Sequence, residues 1–88
     1  MNLHQIKETL ISCDYAYNNV AYSVVANAAG VHYLHVHDFD TGRSFLKLTE
    51  AELEEAHEIA DAFPERDYLR ARAFQKMAQR LRQDRYLR

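Results

Sequence analysis

Few residues of this 88-residue chain have the type and spacing to do chemistry, and the clearest are two histidines. His35 and His37 lie two apart in an alternating stretch, so on a strand they point to one face. Asp38 and Asp40 follow directly. Neutral imidazole with nearby carboxylate can bind zinc, nickel or copper. A closed zinc site, however, needs four ligands, commonly with cysteine. Cys13 is distant in sequence, and His4, His32 and His57 have no evident reason to converge. Neither a metal nor another cofactor is therefore expected.

His37 and Asp40 can be drawn as an acid–base pair. Yet Ser12, Ser23 and Ser44 lack a nucleophile motif, and no glycine-rich phosphate loop is present. Cys13 is expected on the apolar side of a helix, where a buried thiol is inert. An enzyme is not expected. Tyr33, His35 and His37 read better as a half-exposed recognition face, because both residue types join stacking area to a polar tip.

The remaining chemistry is electrostatic. The stretch 64–88 holds eight of the eleven Lys/Arg residues and three acids, a net charge of +5. The first 63 residues hold three bases and ten acids, a net charge of −7. The total of −2 thus describes neither part. Glu50, Glu54, Glu58 and Asp61 recur at helical spacing and share a face, which Glu52 and Glu55 broaden. Four residues of helix advance about 6 Å, so this row can imitate phosphates and occupy a basic groove on another protein. Arg72, Lys76 and Arg80 form a basic stripe, with Gln75, Gln79 and Gln83 close by and Arg66, Arg70, Arg82, Arg85 and Arg88 elsewhere. Arginine and glutamine suit phosphate and base-edge contacts.

Against direct nucleic-acid binding stands an isoelectric point near 6.2, where a dedicated nucleic-acid domain exceeds roughly 9. If the two helices instead fold back at Pro64, the charges pair with each other, at about 0–1 kcal/mol per exposed pair. Six tyrosines without a tryptophan either serve an interface or plug the edge of a small core. Tyr22 and Tyr33 are expected to pair across a hairpin.

The elements that position these residues follow from local signals. Asn2 as a cap, Gln5 three residues on, and Leu3, Ile6, Leu10 and Cys13 at spacings of three and four predict a first helix. Tyr15 to Asn19 is ambiguous, and Asn18-Asn19 favours a loop. Three strands follow, near 20–26, 31–37 and 43–48, separated by turns at 27–30 and 38–42. Val31, Tyr33, His35 and His37 alternate with His32, Leu34 and Val36, and the second set reads as core. Thr49 with Glu52 forms a capping box, and Leu48 with Leu53 a hydrophobic staple. Leu53, Ala56, Ile59, Ala60 and Phe63 form the apolar face of that helix. A last helix from about residue 65 lays Ala73, Phe74, Met77, Ala78 and Leu81 in one arc. The expected fold is α+β, in the order αβββαα, with helices on one face of a three-stranded antiparallel meander.

Length and composition bound the rest. Residues 1–88 make a single domain. Hydrophobic residues at 48% and charged residues at 27% are ordinary for a globular protein. No run reaches the roughly 20 apolar residues of a membrane span, no signal peptide is evident, and a single cysteine excludes an internal disulfide. A cytoplasmic location is expected. Stapled helices and small size suggest a homodimer. The functional expectation is a non-enzymatic accessory or inhibitory protein that occupies a surface of a larger, nucleic-acid-handling protein through Glu50, Glu54, Glu58, Asp61 and the Tyr33, His35, His37 face. Phage and mobile-element inhibitors, anti-CRISPR proteins among them, share this size and charge, an analogy that rests on no motif. The alternative is direct nucleic-acid binding by Arg72, Lys76 and Arg80.

Overall fold

The N-terminal segment is a strand, not the expected helix. A computed structural model of the chain describes residues 3–86, with side chains through Asp84; Asn2 and Arg88 lie outside the described residues. After a short 3-10 turn at Leu3–Gln5 come β1 (Ile6–Ser12), β2 (Val20–Asn27), β3 (His32–Asp38), β4 (Gly42–Lys47), α1 (Glu50–Ala62) and α2 (Tyr68–Tyr86). The four strands form one antiparallel sheet in sequence order. The architecture is α+β, ββββαα.

The pairing of β1 with β2 explains the helix-like spacing of the apolar residues in β1. Ile6 pairs with Asn27 and Glu8 with Ala26; Thr9 pairs with Val25 and Ile11 with Val24. Lys7 and Leu10 are therefore extra residues at two bulges. Each bulge shifts the period of two by one, so apolar residues fall three and four apart and mimic a helix. Bulges also blunt an edge strand against pairing with another chain.

The rest of the sheet obeys its local signals. Asn18 and Asn19 both take positive φ, 52° and 65°, and Tyr17 and Val20 exchange backbone hydrogen bonds across them. Asparagine tolerates that left-handed conformation better than most residues. At the β2–β3 turn, Asn27 Oδ1 accepts from the N–H groups of Ala29 and Val31, and Gly30 sits at φ 80°. Tyr22 lies opposite Val36 and Tyr33 opposite Val25. The two tyrosines thus belong to opposite faces and do not pair. Tyr22 stacks instead on Phe74, at 6.5 Å between centroids.

Both helices cover one face of the sheet. Thr49 Oγ1 accepts from Glu52 N–H at 3.2 Å while Glu52 Oε1 accepts from Thr49 N–H at 2.9 Å, the expected capping box. From α1 only Ala56 is fully buried, with Leu53, Ile59 and Ala60 packed against the core. The second helix begins three residues later than expected. Asp67 Oδ1 accepts from Leu69 N–H and Asp67 O from Arg70 N–H, so Asp67 rather than Pro64 sets its start. Ala71, Phe74, Met77, Ala78 and Leu81 pack on Tyr22, Val24, Leu34, Val36 and Leu46. No helix among the described residues is long and apolar enough to cross a membrane.

Arg70 holds this arrangement together from inside. It is only 8% exposed. Its Nε donates to Phe63 O at 2.8 Å, and its two terminal nitrogens donate to Ala60 O and Ser12 O, each at 2.6 Å. One guanidinium thus caps the end of α1 and ties it to the end of β1. Ser12 Oγ also donates to the Glu65 carboxylate, and Asp14 N–H donates to Glu65 O at 2.8 Å, so the link between the helices is fastened to the first strand.

Candidate functional site

The two groups of predicted partner-binding residues lie on opposite sides of the molecule. On β2 and β3, Tyr22, Val24, Leu34 and Val36 face the helices. Alternation turns Ala21, Ser23, Val25, Tyr33, His35 and His37 to the other face, which no helix covers. Glu50, Glu54, Glu58 and Asp61 are exposed on α1, on the helix side. A flat partner surface cannot meet both groups at once, so the single footprint expected from sequence divides into two.

On the open face, pairing across β3 and β4 sets Phe45 opposite His35, Arg43 opposite His37 and Lys47 opposite Tyr33. The result is a row of five rings. Tyr33 meets Phe45 edge-on at 6.5 Å and 89°. His35 lies flat against Phe45 at 4.7 Å and parallel to His37 at 6.3 Å, both within 7°. His37 meets Phe39 edge-on at 4.7 Å. The end ring, Phe39, is 50% exposed. His35, expected to be half exposed, is instead buried, at 8%.

The hydrogen bonds of His35 fix its proton. Arg43 can only donate, and its guanidinium lies 3.1 Å from His35 Nε2. Nε2 is therefore the acceptor, and Nδ1 carries the hydrogen toward Ser23 Oγ at 3.2 Å. Burial, then the neighbouring Arg43 and His37, hold the imidazole pKa below its ordinary value. In this tautomer His35 donates to Ser23 and takes no proton from it, so the pair is not a nucleophile and its base. Both ring nitrogens are occupied, which also opposes metal ligation by His35 and His37. Among the described residues no group of three or more His, Cys, Asp and Glu could hold a metal ion. Cys13 is buried just past the end of β1, not on a helix, and burial pushes its thiol pKa up.

The helix side carries the charge. α1 and α2 lie together, and one ion pair joins them among the described residues. It runs from Arg80 to both carboxylate oxygens of Glu55, at 2.6 and 2.7 Å. Glu50, Glu54, Glu58 and Asp61 take no part in an ion pair among the described residues. Of the basic stripe, Arg72 and Lys76 are exposed and Arg80 is held by Glu55. A polar cleft of about 270 Å³ opens beside α2, lined by Tyr22, Asp38, Ser44, Gln75, Gln79 and Arg82 among others.

Sequence reasoning missed Phe45, Phe39 and Arg43 as members of the open-face site. Their signal was the alternation Arg43, Phe45, Lys47 in β4, which gains meaning only once the register with β3 is known. No family model, curated protein or solved structure matches the chain.

Proposed function

We propose that this chain is a non-enzymatic accessory protein that docks by the outer face of α1 onto a larger, nucleic-acid-handling protein. The observation that carries this reading is the row Glu50, Glu54, Glu58 and Asp61, exposed and outside any ion pair among the described residues although a basic helix lies alongside. Residues spaced by four on a helix set carboxylates about 6 Å apart. A basic groove shaped for phosphates accepts such a row, and a shared sign along the face steers the encounter. A single buried cysteine suits work in the reducing cytoplasm.

The test is a pull-down from host extract with the wild-type chain and with a variant combining Glu54→Lys, Glu58→Lys and Asp61→Lys. All three positions are exposed, so the variant keeps its fold, each change altering stability by no more than about 0.5 kcal/mol. The expected outcome is a nucleic-acid-handling protein captured by the wild type and lost by the variant. Equal capture by both rejects the reading.

A second reading, direct nucleic-acid binding by α2, is supported by the exposure of Arg72 and Lys76 outside any described ion pair. It is weakened by the bond between Arg80 and Glu55.

A further inference from the structure

The open face of the sheet calls for a different occupant from the acidic helix. It is aromatic and basic, and it lies on the far side of the sheet from α1. We infer that it binds single-stranded nucleic acid, with bases stacked at the ring row and phosphates against Arg43 and Lys47. This goes beyond the docking proposed for α1 and stands or falls separately from it.

Three observations carry the inference. The first is the row itself. Tyr33, His35, His37 and Phe39 occupy alternate positions along β3 and into its turn, so they recur about every 6.6 Å along the strand. His35 is enclosed between Phe45 and His37. The end rings, Tyr33 and Phe39, are turned across the row at 89° and 86° and lie against no ring but Phe45 and His37 respectively among the described contacts on this face. The ends are where a base can add, and every base has a face that stacks on such a ring.

The second observation is charge. The paired positions on this face are Ala21, Ser23, Val25 and Asn27 of β2 with Ile6, Thr9 and Ser12 of β1 on one side of β3, and Arg43, Phe45 and Lys47 on the other; Ser12 at the far edge donates to the Glu65 carboxylate. Both ionised residues among these paired positions are cations. Asp38 ends β3 between His37 and Phe39 but alternates to the helix side with Leu34 and Val36; its Oδ1 accepts from the N–H groups of Thr41 and of Asp40, which follows in the turn. A face with stacking rings whose ionised paired positions, among the described residues, are Arg43 and Lys47 complements a strand of phosphates and bases; it does not complement an acidic partner that lacks rings.

The third is preorganisation. Arg43 is exposed, yet its guanidinium is held by His35 Nε2 at 3.1 Å, and His35 is held in turn by Ser23. The cation nearest the middle of the row is thus oriented before any ligand arrives, which lowers the ordering cost of binding. A duplex is the poorer fit. Its bases are stacked inside, and nothing on this face projects as a helix or ribbon into a groove.

The test is a fluorescence-anisotropy titration of the full chain with a labelled polythymidine of roughly 16 nucleotides, and with a duplex of the same length. The single strand is expected to bind, tighter than the duplex, and to lose affinity steeply between about 50 and 200 mM salt. Phe39→Ala should weaken it by roughly 5- to 100-fold. Phe39 is half exposed in a turn, so the variant folds and its melting curve verifies this. Tyr33→Ala should weaken binding by a similar factor, and Tyr33→Phe, which keeps the ring, should restore it. Arg43→Gln should reduce the salt slope by about one. Replacing Arg72 and Lys76 by Glu should change nothing. Absence of binding at low salt overturns the inference. So does loss of binding in the α2 variant with the ring variants unaffected, and so does a wild-type homodimer that Phe39→Ala dissociates.

Discussion

β3 serves two faces of the sheet in opposite ways. Leu34 and Val36 point to the helices and are buried among Tyr22, Phe74 and Met77. Tyr33, His35 and His37 point the other way, where no helix lies over them. On the covered face the side chains are held chiefly by volume, each filling space that its neighbours leave, with one stacked ring pair, Tyr22 on Phe74. On the open face they are held by orientation, through ring against ring and a bonded line from Ser23 through His35 to Arg43. A face fixed by volume supplies stability. A face fixed by orientation supplies less, although Val25 is buried in it, and keeps polar and aromatic groups ordered at its surface. The difference between the faces can be measured.

The largest effect is expected at Phe74, which is 0% exposed. Phe74→Ala should cost about 3–5 kcal/mol by denaturant melting, whereas Phe45→Ala, on the half-buried open face, should cost only about 1–2 kcal/mol. Equal losses would remove the distinction between the two faces. Arg70→Ala comes next. It strips three carbonyls of a charged donor and should cost about 3 kcal/mol. Its loss should loosen the end of α1 first, read as faster amide exchange at Phe63, whose N–H donates to Ile59 O. A globally uniform change in exchange would deny Arg70 its local role.

The smallest effect is a pH dependence confined to the open face. The pKa of His35 lies below 6.5 in the fold, chiefly through burial, then through Arg43 and His37. The unfolded chain therefore binds a proton that the folded chain refuses. The stabilisation is complete above about pH 6.5 and is lost as pH falls through the folded value. The melting temperature should thus decline on acidification from pH near 7.5 to near 5.5, and His35→Phe should flatten that decline. Asp38, lowered mainly by the amides of Asp40 and Thr41, acts in a separate window below 3.8. A decline of equal slope in His35→Phe would assign the titration elsewhere.

What could be read from sequence follows the range of each signal. The capping box of Thr49 and Glu52, the Asn18-Asn19 turn, the alternation of β3 and most of the apolar arc of α2 are local and were legible; in that arc Ala71 is buried where Ala73 was expected. β1 was not, because the bulges at Lys7 and Leu10 exist only in relation to β2. The late start of α2 was obscured by Pro64, which drew attention from the stronger cap at Asp67. At the site, alternation placed Tyr33, His35 and His37 on one face correctly, but Phe45 and Arg43 joined them only through cross-strand register. Arg70 gave no signal at all. In sequence it is one more base in a basic helix, and only the fold turns it inward.

Whether the two faces of one sheet do different work is decided by an amide chemical-shift titration with a short polythymidine strand. Shifts are expected to concentrate in β3, its turn through Phe39, and β4, with α1 and α2 unmoved. Shifts confined to α2, or none anywhere at low salt, would mean that the open face has no such role.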